Sequence, residues 1–268
     1  MDFSKTVFVS DLDGTLLTSE KTVNALDFEA IRRYRSAGGI FVAATGRPLH
    51  TVTDFFDVLG TESPMILCNG GIIYDPCKGK VLYEVDLPES AKMIMTDVRS
   101  RFINISPEIY TFSKRYYFHM NTVEKWHQHI LCIDFIKVDD PDSISEPWNK
   151  MLFADEIEVI NELSEFVKKY EGFGVRFVRS FPKFLEILPE GVSKGSALKK
   201  LIEIAGYDGR IVCAAGDYDN DIEMLKAADI SFCPADSQEC VKNICSVTLK
   251  NTSNTGAIAE AIDFLERF

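Results

Sequence analysis

The stretch "TVFVSDLDGTLL", residues 6–17, decides the fold. Thr6 to Ser10 carry no charge and are mostly β-branched or aromatic, which reads as a short buried strand. The strand runs straight into two carboxylates two positions apart, Asp11 and Asp13, and then turns at Gly14. Like charges at that spacing repel unless water or a cation lies between them. A buried strand ending on such a pair places it at the carboxyl edge of a sheet, where open parallel sheets bind ligands.

Working outward, strand and helix signals alternate. A helical pattern over 24–37 puts Leu26, Ala30, Ile31 and Tyr34 at three- and four-residue steps and stops at Gly38-Gly39. "GIFVAAT" (39–45) reads as a second strand, followed by the turn "GRP" and another helix ending near Gly60. "PMILCNGG" (64–71) reads as a third strand and its exit loop. Short connections between such elements require parallel crossovers, so the fold class is α/β with a doubly wound, mostly parallel, Rossmann-like core sheet. From "IIYDPCKGKVLYE" (72–84), a hairpin, the pattern becomes uneven. "RYYFHM", "ILCIDFIKV" (130–138), a helix near 156–169, "GVRFVRS" and "KFLEILP" read as an inserted α+β domain. After residue 188 the alternation resumes with a helix from Ser193, the strand "RIVCAA", the pieces "ISFC" and "SVTL", and a last helix in "TGAIAEAIDFLERF". The expected division is a core of 1–83 and 189–268 with an inserted domain of 84–188.

Composition narrows the function. The net charge of −12 offers no basic face for nucleic acid. No apolar run approaches a membrane span, and the N-terminus lacks the apolar core of a signal peptide, so a cytoplasmic location is expected. Seven cysteines, odd in number and without a C-x-x-C pair, read as reduced thiols.

Four polar stretches fall at strand ends or helix starts: "DLDGT", "ATGR", "GVSKGSAL" and "GDYDND". Asp11, Thr45 and Asp217 then converge, and Lys194 joins them from the first turn of a helix. A lysine there opposes the helix dipole, which points to a nearby anion. Mg²⁺ takes a few carboxylates and keeps waters, which suits Asp11, Asp217 and Asp221. Thr45, Lys194 and backbone N–H groups suit a phosphoryl group, with Asp11 as nucleophile and Asp13 as proton carrier. "DLDGT" does not continue as a calcium loop, because Thr15 and Leu16 stand where Asp/Asn and Gly belong. His127 and His129, near Glu124, read as alternate positions of a strand, but no third metal ligand has suitable spacing. Arg176, Arg179 and Lys183 read as solvated-face residues.

These four stretches, with "NGG" at 69–71, resemble the motifs of the haloacid dehalogenase superfamily, in its Cof-like subfamily IIB with a type-2 cap. The resemblance covers essentially the whole chain. It implies a nucleophile at Asp11 and an acid/base at Asp13, whose carbonyl also binds Mg²⁺. It further implies phosphate contacts at Leu12 (backbone amide), Gly46, Thr45, Lys194 and Asn220, and metal binding at Asp217 with support from Asp221. Tyr218 departs from the small or polar residue of many relatives. The expected activity is Mg²⁺-dependent hydrolysis of small phosphorylated metabolites, sugar phosphates first among them, with the inserted cap closing over the site and choosing the leaving group. A phosphomutase shares the core and cap. A non-catalytic phosphoryl sensor of the receiver type would place its acceptor after the third strand, where "LCNGG" holds no acid.

Overall fold

Val7, Phe8 and Val9 are fully buried, and the strand they form lies inside a parallel sheet. The computed structural model describes residues 1–60, 62–131 and 135–267. The chain divides into two compact units, one of Met1–Gly46, Val52–Tyr83 and Ser193–Phe268, the other of Arg47–Thr51 and Glu84–Val192. In chain order the first stretch holds β1 (Thr6–Ser10), α1 (Ala25–Ser36), β2 (Ile40–Ala43), α2 (Phe56–Leu59), β3 (Met65–Leu67), β4 (Ile72–Asp75) and β5 (Lys80–Glu84). Next come α3 (Ser90–Arg101), β6 (Ser106–Tyr110), β7 (Arg115–Tyr117), α4 (Thr122–Leu131), β8 (Ile136–Lys137), β9 (Lys150–Ala154), α5 (Ile157–Phe166), β10 (Val175–Phe181) and β11 (Phe184–Pro189). The chain ends with α6 (Lys194–Ala205), β12 (Ile211–Ala215), α7 (Ile222–Ala227), β13 (Ile230–Cys233), α8 (Glu239–Lys242), β14 (Val247–Thr248) and α9 (Ala257–Glu266).

In the first unit the order β14-β13-β12-β1-β2 is parallel throughout. The third strand expected from the sequence is only loosely part of this sheet. β3 meets it through one bridge, Ala44 to Ile66, and pairs antiparallel with β4 in a separate sheet that includes β5. The second helix is also shorter than its pattern. It breaks into 3₁₀ turns at Leu49–Thr51 and Thr53–Phe55 before the four-residue α2. The β-branched run Thr51-Val52-Thr53 is a poor helix former, which accounts for the break.

Helix α1 shows where tertiary packing overrides a pattern. Leu26, read as part of the apolar face, is 60% exposed, whereas Asp27 is fully buried. The cause is α9, whose N-cap Gly256 has no side chain to satisfy the helix amides. Asp27 Oδ1 does so instead, accepting from the Ala259 amide at 2.7 Å.

The second unit is a six-stranded sheet in the order β10-β11-β9-β6-β7-β8, antiparallel except between β7 and β8. One face packs Ile109, Met151, Phe153 and Ile187 against Ile94 and Val98 of α3 and Ile160 and Leu163 of α5. Alternation along the strands sends Glu108, Tyr110, Lys150 and Glu186 to the other face. The segment 122–131 is a helix, so His127 and His129 are not alternate strand residues. Positions two apart on a helix diverge, and His127 Nδ1 pairs with Glu108 Oε1 at 2.7 Å. Of the strand read over 130–138, residues 132–134, Cys132 included, lie outside the described residues, and only Ile136–Lys137 is extended. Arg176 donates to the Val192 carbonyl, Arg179 to Asn161, and Lys183 pairs with Glu156. The six described cysteines are free thiols. Among the described residues no helix is long and apolar enough to cross a membrane.

Candidate active site

Strand register brings the polar residues together. Ser10 of β1 lies opposite Ala215 of β12 on one side and Ala43 of β2 on the other. The three strands therefore end at one level. The Asp11 amide donates to the Ala215 carbonyl at 2.9 Å, and the Ala44 amide donates to the Ser10 carbonyl at 2.8 Å. One and two residues beyond Ala44 stand Thr45 and Gly46, and two beyond Ala215 stands Asp217. The Leu12 carbonyl then accepts from the amides of Thr15, Leu16 and Leu17, closing the turn that carries Asp13.

Lys194 begins α6, after a capping box in which the Ser193 hydroxyl accepts from the Ser196 amide. Its side chain is wholly buried. Nζ donates to Asp11 Oδ1 at 2.5 Å and to Asp221 Oδ1 at 2.7 Å. This is the anion that a first-turn lysine implied. Asp221 spends its other oxygen on the loop before it, since Oδ2 accepts from the amides of Asp217 (2.9 Å) and Tyr218 (3.1 Å). Asp217 Oδ1 accepts from the Thr15 hydroxyl at 2.9 Å. Its Oδ2 lies against Gly14, whose φ is +89°, and a Cβ there would sit 2.5 Å from that oxygen. The motif needs glycine at this position for both reasons.

The electrostatics are unbalanced. One oxygen from each of Asp11, Asp217 and Asp221 lies within 4.8 Å of the others, and the Lys194 ammonium pairs with Asp11 and Asp221. Burial pushes Asp11 above the usual carboxylate range against the opposing pull of Lys194, and the charges of Asp221 and Asp13 add to the push. Burial and the charges of Asp11 and Asp221 hold Asp217 well above its ordinary value. Burial alone would lower Lys194, yet Asp11 and Asp221 outweigh it and raise the ammonium. A buried cluster of hard oxygens short of positive charge is the donor set a divalent cation fits.

Asp13 is set apart from this cluster. Its carboxylate is partly exposed and pairs with Lys21 Nζ at 2.7 Å. Asn220 Nδ2 donates to Asn69 Oδ1 at 3.0 Å. Three residues here escaped the sequence reading. Thr15 lay inside the quoted motif, and a threonine directly after Asp-Gly was a usable signal. Asn69 was noticed only as part of "NGG", and Lys21, eight residues from its partner, had none.

The family model for haloacid dehalogenase-like hydrolases matches residues 8–262, and the chain belongs to that family. It is an enzyme, a haloacid dehalogenase-like phosphatase of the Cof type. Pyridoxal phosphate phosphatase YbhA of Escherichia coli is 27% identical over 267 residues, covering 96% of this chain and 97% of that one. The crystal structure of TM0651 from Thermotoga maritima is 27% identical, with a TM-score of 0.78 and 96% of each chain covered. The subclass IIB sugar phosphatase BT4131, 19% identical over 98% of this chain and all of that one, shares the fold with a TM-score of 0.82.

Proposed function

We propose that the protein is a cytoplasmic, Mg²⁺-dependent phosphatase of small phosphorylated metabolites, with sugar phosphates the first class to test, working through an aspartyl phosphate on Asp11. The observation that carries the reading is the pairing at the end of β1. A buried carboxylate held by Lys194 stands two residues before a partly exposed one held by Lys21.

Asp11 and Asp217, with the Asp13 carbonyl, would hold the metal. Asp221, whose oxygens serve Lys194 and two amides, supports the loop behind them. The bound ion supplies positive charge to a phosphate that the acids would otherwise repel. Lys194 holds Asp11 Oδ1 in place, fixing the direction of the attacking carboxylate. The Asp11 oxygen attacks phosphorus, and the leaving alkoxide takes a proton from the Asp13 carboxyl. Asp13, again ionised, removes a proton from water, which attacks the aspartyl phosphate and releases inorganic phosphate. Thr45, Gly46, Lys194, Asn220 and the Leu12 amide bind the phosphate oxygens. Lys21 Nζ donates to Asp13 Oδ1 and keeps that carboxyl group pointed. The inserted unit, 84–188 in the sequence division, chooses the substrate.

The test is a panel of phosphorylated metabolites, including hexose and pentose phosphates and pyridoxal phosphate, assayed for free phosphate with Mg²⁺ and with chelator. Release of phosphate from sugar phosphates with Mg²⁺ only is expected. Isomerised sugar phosphate in place of free phosphate would move the assignment to a phosphomutase, and undiminished hydrolysis in excess chelator would sink the metal requirement.

A further inference from the structure

Three consecutive residues at the exit of β3 have left-handed backbone: Cys68 (φ 51°), Asn69 (φ 56°) and Gly70 (φ 104°). Two of them carry side chains that this region disfavours, so the surroundings must hold the loop in place. Those surroundings are the segments that bear the proposed phosphate ligands. The Asn69 amide donates to the Thr45 carbonyl at 3.0 Å. Asn69 Oδ1 accepts from Asn220 Nδ2 at 3.0 Å, and a Cβ on Gly46 would stand 3.1 Å from the same oxygen. A Cβ on Gly70 would stand 2.2 Å from the carbonyl oxygen of Ser193, the cap residue of the helix that begins with Lys194. Asn69 itself is 1% exposed. One short loop thus touches the chain at Thr45–Gly46, at Ser193 and at Asn220.

We propose that Asn69 is a positioning residue for the substrate phosphate, acting through Asn220. The inference rests on the phosphatase reading above and adds to it a residue that acts through another, Asn220. An asparagine amide offers either its NH₂ or its oxygen to a neighbour, depending on which way it is turned. The Asn69 oxygen accepts one hydrogen of Asn220 Nδ2 and so sets that turn. The second hydrogen of the same nitrogen is then kept for an anionic phosphate oxygen, and the Asn220 oxygen, which would repel it, is kept away. The Asn69 amide N–H meanwhile holds the Thr45 carbonyl, so both phosphate loops answer to one residue.

The experiment measures how much Asn220→Ala costs in three backgrounds: wild type, Asn69→Gly and Asn69→Asp. Glycine keeps the left-handed backbone and its N–H but removes the amide, whereas aspartate tolerates the same backbone and keeps an acceptor for Asn220. Each protein, loaded with Mg²⁺, is titrated with inorganic phosphate by calorimetry, assayed for kcat and KM on an aryl phosphate, and melted thermally. Asn220→Ala should weaken phosphate binding about ten- to hundredfold in wild type, the range for a hydrogen bond to a charged group. The factor should persist in the Asn69→Asp background and fall below about threefold in Asn69→Gly, as expected of coupled sites. Equal losses in all three backgrounds would overturn the proposal by showing that Asn69 serves only the loop's stability. Should Asn69→Gly melt before it can be titrated, the Asp background decides, because an Asn220→Ala substitution that costs nothing there also overturns it. Wild-type protein that binds phosphate but hydrolyses nothing would remove the phosphatase reading, and the calorimetric comparison would still decide the Asn69 proposal.

Discussion

Each unit of the molecule buries a cluster of charges, and the two clusters resolve the cost in opposite ways. In the first, Asp11, Asp217 and Asp221 cluster together, and Lys194 pairs with Asp11 and Asp221. In the second, Glu108, Glu124, His127, Arg115, Lys150 and Glu186 are all buried around β6, β9 and α4. There the charges close on themselves. Lys150 Nζ donates to Glu186 Oε2 at 2.8 Å, and the Ser180 hydroxyl donates to the other oxygen at 2.6 Å. Arg115 lies over the rings of Tyr110 and Phe135. Burial first, then the charge and hydrogen bond of Glu108, push Glu124 up to about 9, so at neutral pH it is a carboxylic acid donating to Glu108. Burial, helped by Arg115, lowers His127 to about 3, which leaves a neutral ring hydrogen-bonded to Glu108. Glu108 and Glu186 thus share their surroundings with Arg115 and Lys150, whose charges oppose the rise that burial imposes on the Glu108 carboxyl. A cluster balanced by protons and pairs specifies packing, whereas one left short of positive charge is set up to bind a cation.

The comparison breaks most visibly at Asp11. Asp11→Asn removes the attacking anion, and turnover of an aryl phosphate should fall on the order of 10⁴–10⁶-fold, as losing a nucleophile does elsewhere. Rapid-quench trapping with labelled substrate should find label on Asp11 in wild type and none in the variant. Label on another residue would contradict the assignment. Asp13→Asn should cost roughly 10²–10⁴-fold, the worth of general acid–base help, and less for a substrate with a good leaving group. A plot of log kcat/KM against leaving-group pKa, steeper in the variant than in wild type, is the check.

Stability sharpens the contrast further. At a pH high enough to ionise Asp217, Asp217→Asn removes one repelling charge from the first cluster and keeps an acceptor for the Thr15 hydroxyl. Without metal the variant should melt above wild type, by about 2–4 °C for each kcal/mol of repulsion relieved. Mg²⁺ should raise the wild-type midpoint, as any ligand of the folded state does, and raise the variant's much less. Equal Mg²⁺-dependent shifts in both proteins would remove Asp217 from the metal site.

The smallest effect is expected in the balanced cluster. Glu124→Gln replaces a group already uncharged at neutral pH with one of the same shape. Its folded-state value, about 9, lies above the ordinary 4.5. Stability from the bound proton is therefore fully present below about pH 4.5 and is lost as pH rises through 9. Near pH 5 the variant should melt within about 4 °C of wild type, the equivalent of roughly 1 kcal/mol. As pH rises towards 9 wild type should lose stability relative to the variant, and a difference between the two that stays constant with pH would contradict the shared proton.

What the sequence alone determined is local and periodic. The apolar run of β1 ending at Asp11, the alternation that makes the sheet parallel, the helix starts near Asn24 and Ser193, and the cation at Lys194 are each readable within a few residues. Side-chain period, turn chemistry and the helix dipole all act over that range. Only tertiary structure decided the rest. Asp27 is buried and Leu26 exposed because α9, more than 200 residues away, has a glycine where a cap should be. The pairing of His127 with Glu108, on a strand earlier in the chain, exists only in the folded molecule. Lys21 reaches Asp13 and Asn69 reaches Asn220 only after folding, since a hydrogen bond between side chains distant in sequence leaves no period to read.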